Sequence, residues 1–179
     1  MKPYLIGPAL LVLLNLMSAP AQAGEHCSLN LTPGVLDFGV SNRAALLAQA
    51  HGAAAAGSFG VRPVFLRIYC TQSTPMSWRF VAPAADAQRF RFGSGTLLLR
   101  VKNVRLDGAA VRWRSEAGEG VGEANILRPG ERALAGADGA AAQGHQLEVE
   151  LEVEASVPDS VSRARDLTRL EGGGRFQMN

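Results

Sequence analysis

The feature that most constrains the fold is a segment near the C-terminus in which apolar and acidic residues alternate strictly. Leu147, Val149, Leu151 and Val153 alternate with glutamates through residue 154. A period of two is typical of a β-strand with one face in the core and the other in water. A row of carboxylates could also indicate calcium binding or acid–base chemistry, but we interpret it as the solvated face of a strand.

Further segments follow the same pattern and predict a chain built from many strands. Long candidates are residues 61–71, 76–81 and 96–106. Asp107-Gly108 is a hairpin turn signal, and residues 110–114 would return from it. Shorter candidates are residues 28–31, 35–38, 90–92, 124–127 and 175–178. The only stretch with helical composition, residues 44–56, predicts a short helix or a loop. Many short strands separated by turns favour an all-β sandwich or barrel.

The first residues have the character of a secretory signal peptide. Lys2 gives a positive start, residues 4–17 are apolar, and Ala21-Gln22-Ala23 is a small-x-small cleavage site. The apolar run is shorter than the roughly 20 residues of a spanning helix. We therefore predict that residues 1–23 are a signal peptide, that residues 24–179 form one exported domain, and that no membrane span is left after cleavage.

The chain has two cysteines, Cys27 and Cys70, both in the predicted exported domain. In an oxidising compartment such a pair is typical of one structural disulfide. A redox pair would have Cys-x-x-Cys spacing, and a metal site would need further ligands close in the sequence. Neither is present, so we predict a Cys27–Cys70 disulfide.

Charge and motifs argue against two large classes of function. The formal net charge is only +2 and the basic residues are dispersed, so we expect no nucleic-acid binding. The sequence has no Gly-x-Ser-x-Gly elbow, no phosphate loop and no His-Glu-x-x-His motif. The histidines His26, His51 and His145 are far apart, and we interpret them as surface residues. We expect no catalytic site, no metal and no cofactor.

Five aromatic residues in the predicted strands have two interpretations. They are Trp78, Phe80, Phe90, Phe92 and Trp113. They could form a platform on which sugars stack. Because they alternate with polar residues inside strands, we favour packing in the core.

Several motifs, taken in order, resemble those of pilin-type subunits of chaperone–usher fimbriae. A cysteine near the predicted mature start precedes Val-Leu-Asp-Phe-Gly at residues 35–39, and an apolar strand ends in Cys70. Gly-x-Leu-x-Leu at 95–99, Leu-Asp-Gly at 106–108, Leu-Arg-Pro-Gly at 127–130 and the alternating segment at 147–154 complete the series. The resemblance covers residues 24–179.

This resemblance implies an incomplete immunoglobulin-like, pilin-like β-sandwich that lacks its last strand, with the bridge joining the first two strands. The gap would be an apolar groove filled by a strand from another protein. Segments 28–38 and 167–178 match the groove walls, and the lining residues expected there are Leu29, Leu31, Phe176 and Met178. The partners implied are a periplasmic chaperone, an outer-membrane usher, other fimbrial subunits, and a receptor on a host or another surface. The location implied is the periplasm in transit, then the cell-surface fimbrium.

Two departures from the family pattern modify this expectation. Only residues 24–26 lie between the predicted cleavage site and Cys27, too few for a donor strand, so we expect an acceptor-only subunit at or near a fimbrial tip. Met178 stands where the family often has an aromatic residue, and residues 172–174 are glycines that weaken a final strand. The alternative function is a self-sufficient periplasmic or secreted β-sandwich binding domain, for instance for carbohydrate.

Overall fold

The computed structural model describes residues 27–50, 56–116, 125–136, 140–163 and 168–178, without the side chain of Ala56. The predicted signal peptide, His26 and His51 lie outside these residues. Two short helices are described, α1 (Arg43–Ala48) and α2 (Asp159–Ser162). The strands are β1 (Cys27–Thr32), β2 (Ala56–Pro75), β3 (Ser77–Val81), β4 (Phe90–Phe92), β5 (Gly95–Leu106), β6 (Ala109–Ala110), β7 (Trp113–Ser115), β8 (Ile126–Leu127), β9 (Ala133–Ala135), β10 (Gln143–Pro158) and β11 (Arg175–Met178).

The strands form two antiparallel sheets. The larger has the order β1-β2-β10-β5-β4, with β6 and β8 also pairing with β5, and the smaller has the order β11-β3-β9-β7. In an immunoglobulin-like sandwich the strands A, B, E and D share one sheet, and C, F and G share the other. The larger sheet contains the equivalents of strands A, B, E and D, which are β1, β2, β10 and β5 in that order. The smaller sheet contains the equivalents of C and F, which are β3 and β11. Among the described residues no strand is equivalent to G.

The alternating segment forms the centre of the larger sheet, as predicted. On β10, Leu147, Val149 and Leu151 are at most 1% exposed, and the glutamates between them point outward. Leu147 pairs with Ile68 of β2, and Val149 with Leu66. Full burial of each such side chain stabilises the fold by about 1.5–3 kcal/mol.

The predicted disulfide is present. Cys27 and Cys70 are bonded, and they are also the first register pair between β1 and β2. The bridge therefore fastens the start of β1 to the long strand β2. The fold class predicted from the sequence, an all-β sandwich with one disulfide, is confirmed.

Residues 35–38 do not form a strand, contrary to prediction. Pro33 has no backbone N–H to continue the β1 ladder, and Val35 is 85% exposed. Leu36 and Phe38 nevertheless pack against the core. The ring of Phe38 lies 6.0 Å from that of Phe92, centroid to centroid. The segment thus contributes apolar side chains without backbone pairing.

The predicted return strand at residues 110–114 is split between the two sheets. Asp107 and Gly108 both have positive φ, 48° and 82°, which is the geometry of a type I′ hairpin turn. The returning chain pairs with β5 over β6, and the N–H of Val111 donates to the carbonyl oxygen of Val104 on β5. β7 then pairs with β9 in the smaller sheet. Because the chain crosses between the sheets here, the ring centroid of Trp113 lies 6.3 Å from that of the core residue Trp78.

The aromatic residues divide between the centre of the core and its margin. Trp78 and Phe90 are fully buried, whereas Phe80 and Trp113 are partly buried and pack against the core. The rings of Phe80 and Phe90 meet edge-on at 4.9 Å. Phe92 is partly buried beside Phe38.

Candidate functional site

The two sheets each end in a strand with one free edge on the same side of the sandwich. Among the described strands, β1 pairs only with β2, and β11 pairs only with β3. Within the described ranges no strand lies between β1 and β11. The outward N–H and C=O groups of both strands are therefore available to pair with another strand.

A cavity of about 870 Å³ lies at these two edges, and we call it the edge groove. The groove is lined by the start of β1, the end of β11 and parts of β2 and β3. The lining residues are Cys27, Ser28, Leu29, Ile68, Tyr69, Cys70, Thr71, Arg79, Phe176, Gln177 and Met178. Three of the four side chains expected to line a groove therefore border a single cavity.

Leu29 shows that the core is uncovered at this edge. It pairs with Ile68, so both side chains point to the core face of the sheet. Ile68 is fully buried, yet Leu29 is 37% exposed. Within the described residues, an inward-facing leucine with this exposure marks a place where no further strand covers the core.

Leu31, the fourth predicted residue, lies apart from this cavity. It shares the core face with Leu29 and pairs with Leu66. It is partly buried and packs against the core, and it is not part of the groove lining. Its contribution is to hold β1 on the core beside the groove.

The β11 wall is anchored by an aromatic contact and a sulfur contact. The ring of Phe176 lies 4.9 Å from that of Phe80. Met178 pairs with Trp78, and its Sδ is 3.8 Å from the Sγ of Cys70. The disulfide and the last described residue of β11 thus approach each other at the mouth of the groove.

A polar pair on the groove wall was missed by sequence reasoning. The Nε and Nη2 atoms of Arg79 donate to Oε1 of Gln177 over 3.0 and 2.9 Å. The two residues are register partners on β3 and β11. In the sequence, Arg79 and Gln177 each alternate with apolar residues, which places them on the same kind of strand face. Their contact could not be predicted, because it depends on the register between β3 and β11.

The glycines before β11 have a packing role that the sequence did not indicate. A Cβ on Gly174 would lie within 2.8 Å of two atoms of the Phe80 ring, and one on Gly172 would lie 3.0 Å from the Phe92 side chain. A side chain at position 174 would therefore displace its neighbours, whereas one at position 172 would make only a tight contact. β11 begins immediately after these glycines, at Arg175.

The described ranges give no indication of a metal centre or of a membrane span. No three His, Cys, Asp or Glu side chains converge there in a metal-binding group. No helix in those ranges has the length and apolar character to cross a bilayer. His145 is exposed, with Nδ1 3.3 Å from the carbonyl oxygen of Cys70.

Comparisons with known proteins give one distant structural similarity. No protein-family model matches the chain, and no curated protein matches it. Among solved structures, the P pilus rod subunit PapA is similar with a TM-score of 0.38 and 13% identity. The match covers 94% of this chain and 96% of that one. At this distance the match assigns neither a family nor a function, so the proposal below rests on the geometry of the groove.

Proposed function

We propose that this protein is a structural or adhesive fimbrial subunit that accepts a strand from another protein in the edge groove. The observation that carries the proposal is Leu29, which faces the core yet is 37% exposed between two unpaired strand edges. An incoming strand would supply backbone hydrogen bonds along β1 and β11 and cover the groove with its apolar side chains. This is strand addition to an open sheet edge.

The energetic reason for accepting a strand is the burial of the exposed lining. Full burial of a leucine is worth about 1.5–3 kcal/mol, so covering the exposed 37% of Leu29 contributes about 0.5–1 kcal/mol. Phe176 and Met178 are partly buried and would add to this gain. The new main-chain hydrogen bonds would satisfy the free edges of both sheets.

The proposed partners are those that the resemblance to pilin-type subunits implies. A periplasmic chaperone would cover it during transit, an outer-membrane usher would receive the subunit, and a neighbouring fimbrial subunit would donate the final strand. The proposed route is export, passage through the periplasm and display on the cell surface. That the subunit is acceptor-only, at or near a tip, stays a prediction, as does binding to a receptor.

The test is to supply the strand covalently. Residues 24–179 are extended at the C-terminus by an Asn-Gly turn and a strand of alternating valine and threonine, which can return antiparallel to β11. Filling the groove should raise the melting temperature by at least about 2 °C, because burial of Leu29 together with Phe176 and Met178 should exceed about 1 kcal/mol, and 1 kcal/mol shifts the melting temperature by about 2–4 °C at this size. Thermal unfolding followed by circular dichroism measures the change.

A matched control separates strand addition from a nonspecific effect of the tail. In the control extension, aspartates replace the valines that would face the groove, and its melting temperature should equal that of the unextended chain. The alternative function, a self-sufficient β-sandwich binding domain, predicts that neither tail changes the melting temperature. That result would refute the proposed function.

A further inference from the structure

A second cavity, of about 780 Å³, lies away from the edge groove against the larger sheet. We call it the face depression. Its lining includes Phe65, Asn103, Arg105, Arg112, Trp113 and Glu150. Small-molecule sites typically occupy about 300–1,000 Å³, so its size suits a ligand of several rings.

The depression lies on the solvent face of three adjacent strands. Phe65 on β2 and Glu150 on β10 are register partners, and they alternate with the buried Leu66 and Val149. Phe65 is 41% exposed, so much of its ring is open to solvent. Because strands lie about 4.8 Å apart, the distance from β2 across β10 to β5 is about 10 Å. Trp113 borders the depression beyond β5.

The polar groups of the depression are already oriented by one another. The Nε of Arg67 lies 3.3 Å from Oε1 of Glu148, and the Nδ2 of Asn103 donates to Oε2 of Glu150 over 2.5 Å. Each carboxylate keeps free lone pairs that can accept a hydroxyl.

A β-bulge lies beneath these groups. The register of β10 with β5 shifts between Glu150, which pairs with Asn103, and Leu151, which pairs with Val101. Lys102 is therefore the additional, unpaired residue on β5. Bulges redirect side chains and are frequent beside functional sites. Here the bulge places Lys102 and Asn103 together in the lining of the depression.

Some of the cationic side chains that line the depression have a carboxylate partner, and others do not. Arg67 pairs with Glu148, and Lys102 pairs with Glu152. Within the described ranges, the guanidinium group of Arg105 donates only to the carbonyl oxygen of Gly108. The guanidinium group of Arg112 makes no hydrogen bond or ion pair with the described parts of the chain, although the carbonyl oxygen of this residue accepts a hydrogen bond from the N–H of Gly136. Two guanidinium groups are thus left to bind an anion.

We propose that the face depression binds an oligosaccharide that carries a carboxylate. Arg105 and Arg112 would hold the carboxylate, since guanidinium groups match its planar geometry. A sugar ring would stack its apolar face on Phe65, and Glu148, Glu150 and Asn103 would bond its hydroxyls. A peptide strand fits less well, because β10, at the centre of the floor, is paired on both sides and offers no edge.

This inference goes beyond the proposed function and can be tested separately from it. Phe65 and Arg112 do not line the edge groove, so substituting them should leave the response to the added C-terminal strand unchanged. Val61 is the matched control, since it lies on the same face of β2, is 43% exposed, and does not line the depression.

The experiment is a printed array of sialylated, uronic-acid-containing and neutral oligosaccharides, followed by titration calorimetry with the strongest binder and its carboxyl-reduced form. We expect carboxyl reduction to weaken binding about tenfold or more. Phe65→Ala should weaken binding about tenfold, Arg112→Gln should remove the preference for the acidic form, and Val61→Ala should change affinity less than about twofold. The array also shows whether sialylated or uronic-acid-containing sugars bind more tightly, and this identifies the source of the carboxylate.

Three outcomes would overturn the proposal. They are no acidic sugar binding on the array, equal affinity for the acidic and reduced forms, and binding that Phe65→Ala leaves unchanged. Self-association in sedimentation velocity that Phe65→Ala abolishes, without any sugar binding, would instead assign the depression to contact between two copies of this chain. Circular dichroism melts of each variant confirm that it is folded.

Discussion

The disulfide gives the prediction that can be worked out most fully from the structure. Cys27 and Cys70 are separated by 43 positions, and closing such a loop restricts the unfolded chain. On the chain-entropy model, replacing both residues by alanine lowers the free energy of unfolding by about 4 kcal/mol. At about 2–4 °C per kcal/mol, the melting temperature should fall by about 8–16 °C. Urea and thermal unfolding measure both quantities.

The loss should be concentrated at β1. Of the strands that the structure describes, only β2 pairs with β1, and the bridge fastens the first of their register pairs. Without the bridge, the amides of β1 should exchange hydrogen faster than those of β10, which is paired on both sides. Wild-type protein under reducing conditions should behave as the alanine variant does. A variant whose unfolding free energy lies within about 1 kcal/mol of wild type would refute the chain-entropy reasoning.

Three further predictions concern other parts of the fold. Hydrogen bonds from Arg163 and Arg43 lower the pKa of Asp159 from 3.8 to about 2, so their contribution to stability is complete above pH 3.8 and is lost as the pH falls through about 2. Thermal melts of Asp159→Asn and wild type should therefore differ at neutral pH and converge in that acid range. Gly174→Ala should destabilise the fold by about 1–3 kcal/mol in urea, because the new methyl group overlaps a core phenylalanine ring. Leu147→Ala should cost about 2–5 kcal/mol by the same measurement, since this side chain is fully buried at the centre of the larger sheet.

The parts of the fold that could be predicted are those set by local patterns. The alternation around Leu147 predicted β10 and its buried face, because a period of two has only one structural solution when half the residues are apolar. Asp107-Gly108 predicted its turn, because few residue pairs accept two positive φ values. The boundaries were less accurate. β10 extends over Gln143–Pro158, because β2 is long enough to pair with residues outside the alternating segment.

The parts that could not be predicted depend on contacts between distant segments. Leu29 and Leu31 have the same parity on β1 and look alike in the sequence, yet one borders the edge groove and the other packs against the core. The Arg79–Gln177 pair needs the register of β11 on β3. The face depression brings together β2, β10, β5 and residues 110–113, and no local pattern links these segments.

The outer face of the larger sheet and its free edge differ in charge and in backbone pairing. The glutamates of β10 stand on the outer face beside cations from β2 and β5, as in the pairs Arg67–Glu148, Lys102–Glu152 and Arg100–Glu154. Exposed pairs of this kind contribute only about 0–1 kcal/mol each, so their main effect is not on stability. They place hydrated charge along β10 and β5, which disfavours apolar stacking of one sheet on another at these strands. The exposed apolar side chains of the broad face, such as Phe65 and Val61, lie on β2, which is paired on both sides, whereas Leu29 is exposed beside an unpaired strand edge of the described chain. Strand addition, which the proposed function requires, is therefore favoured at the edge and not on the broad face.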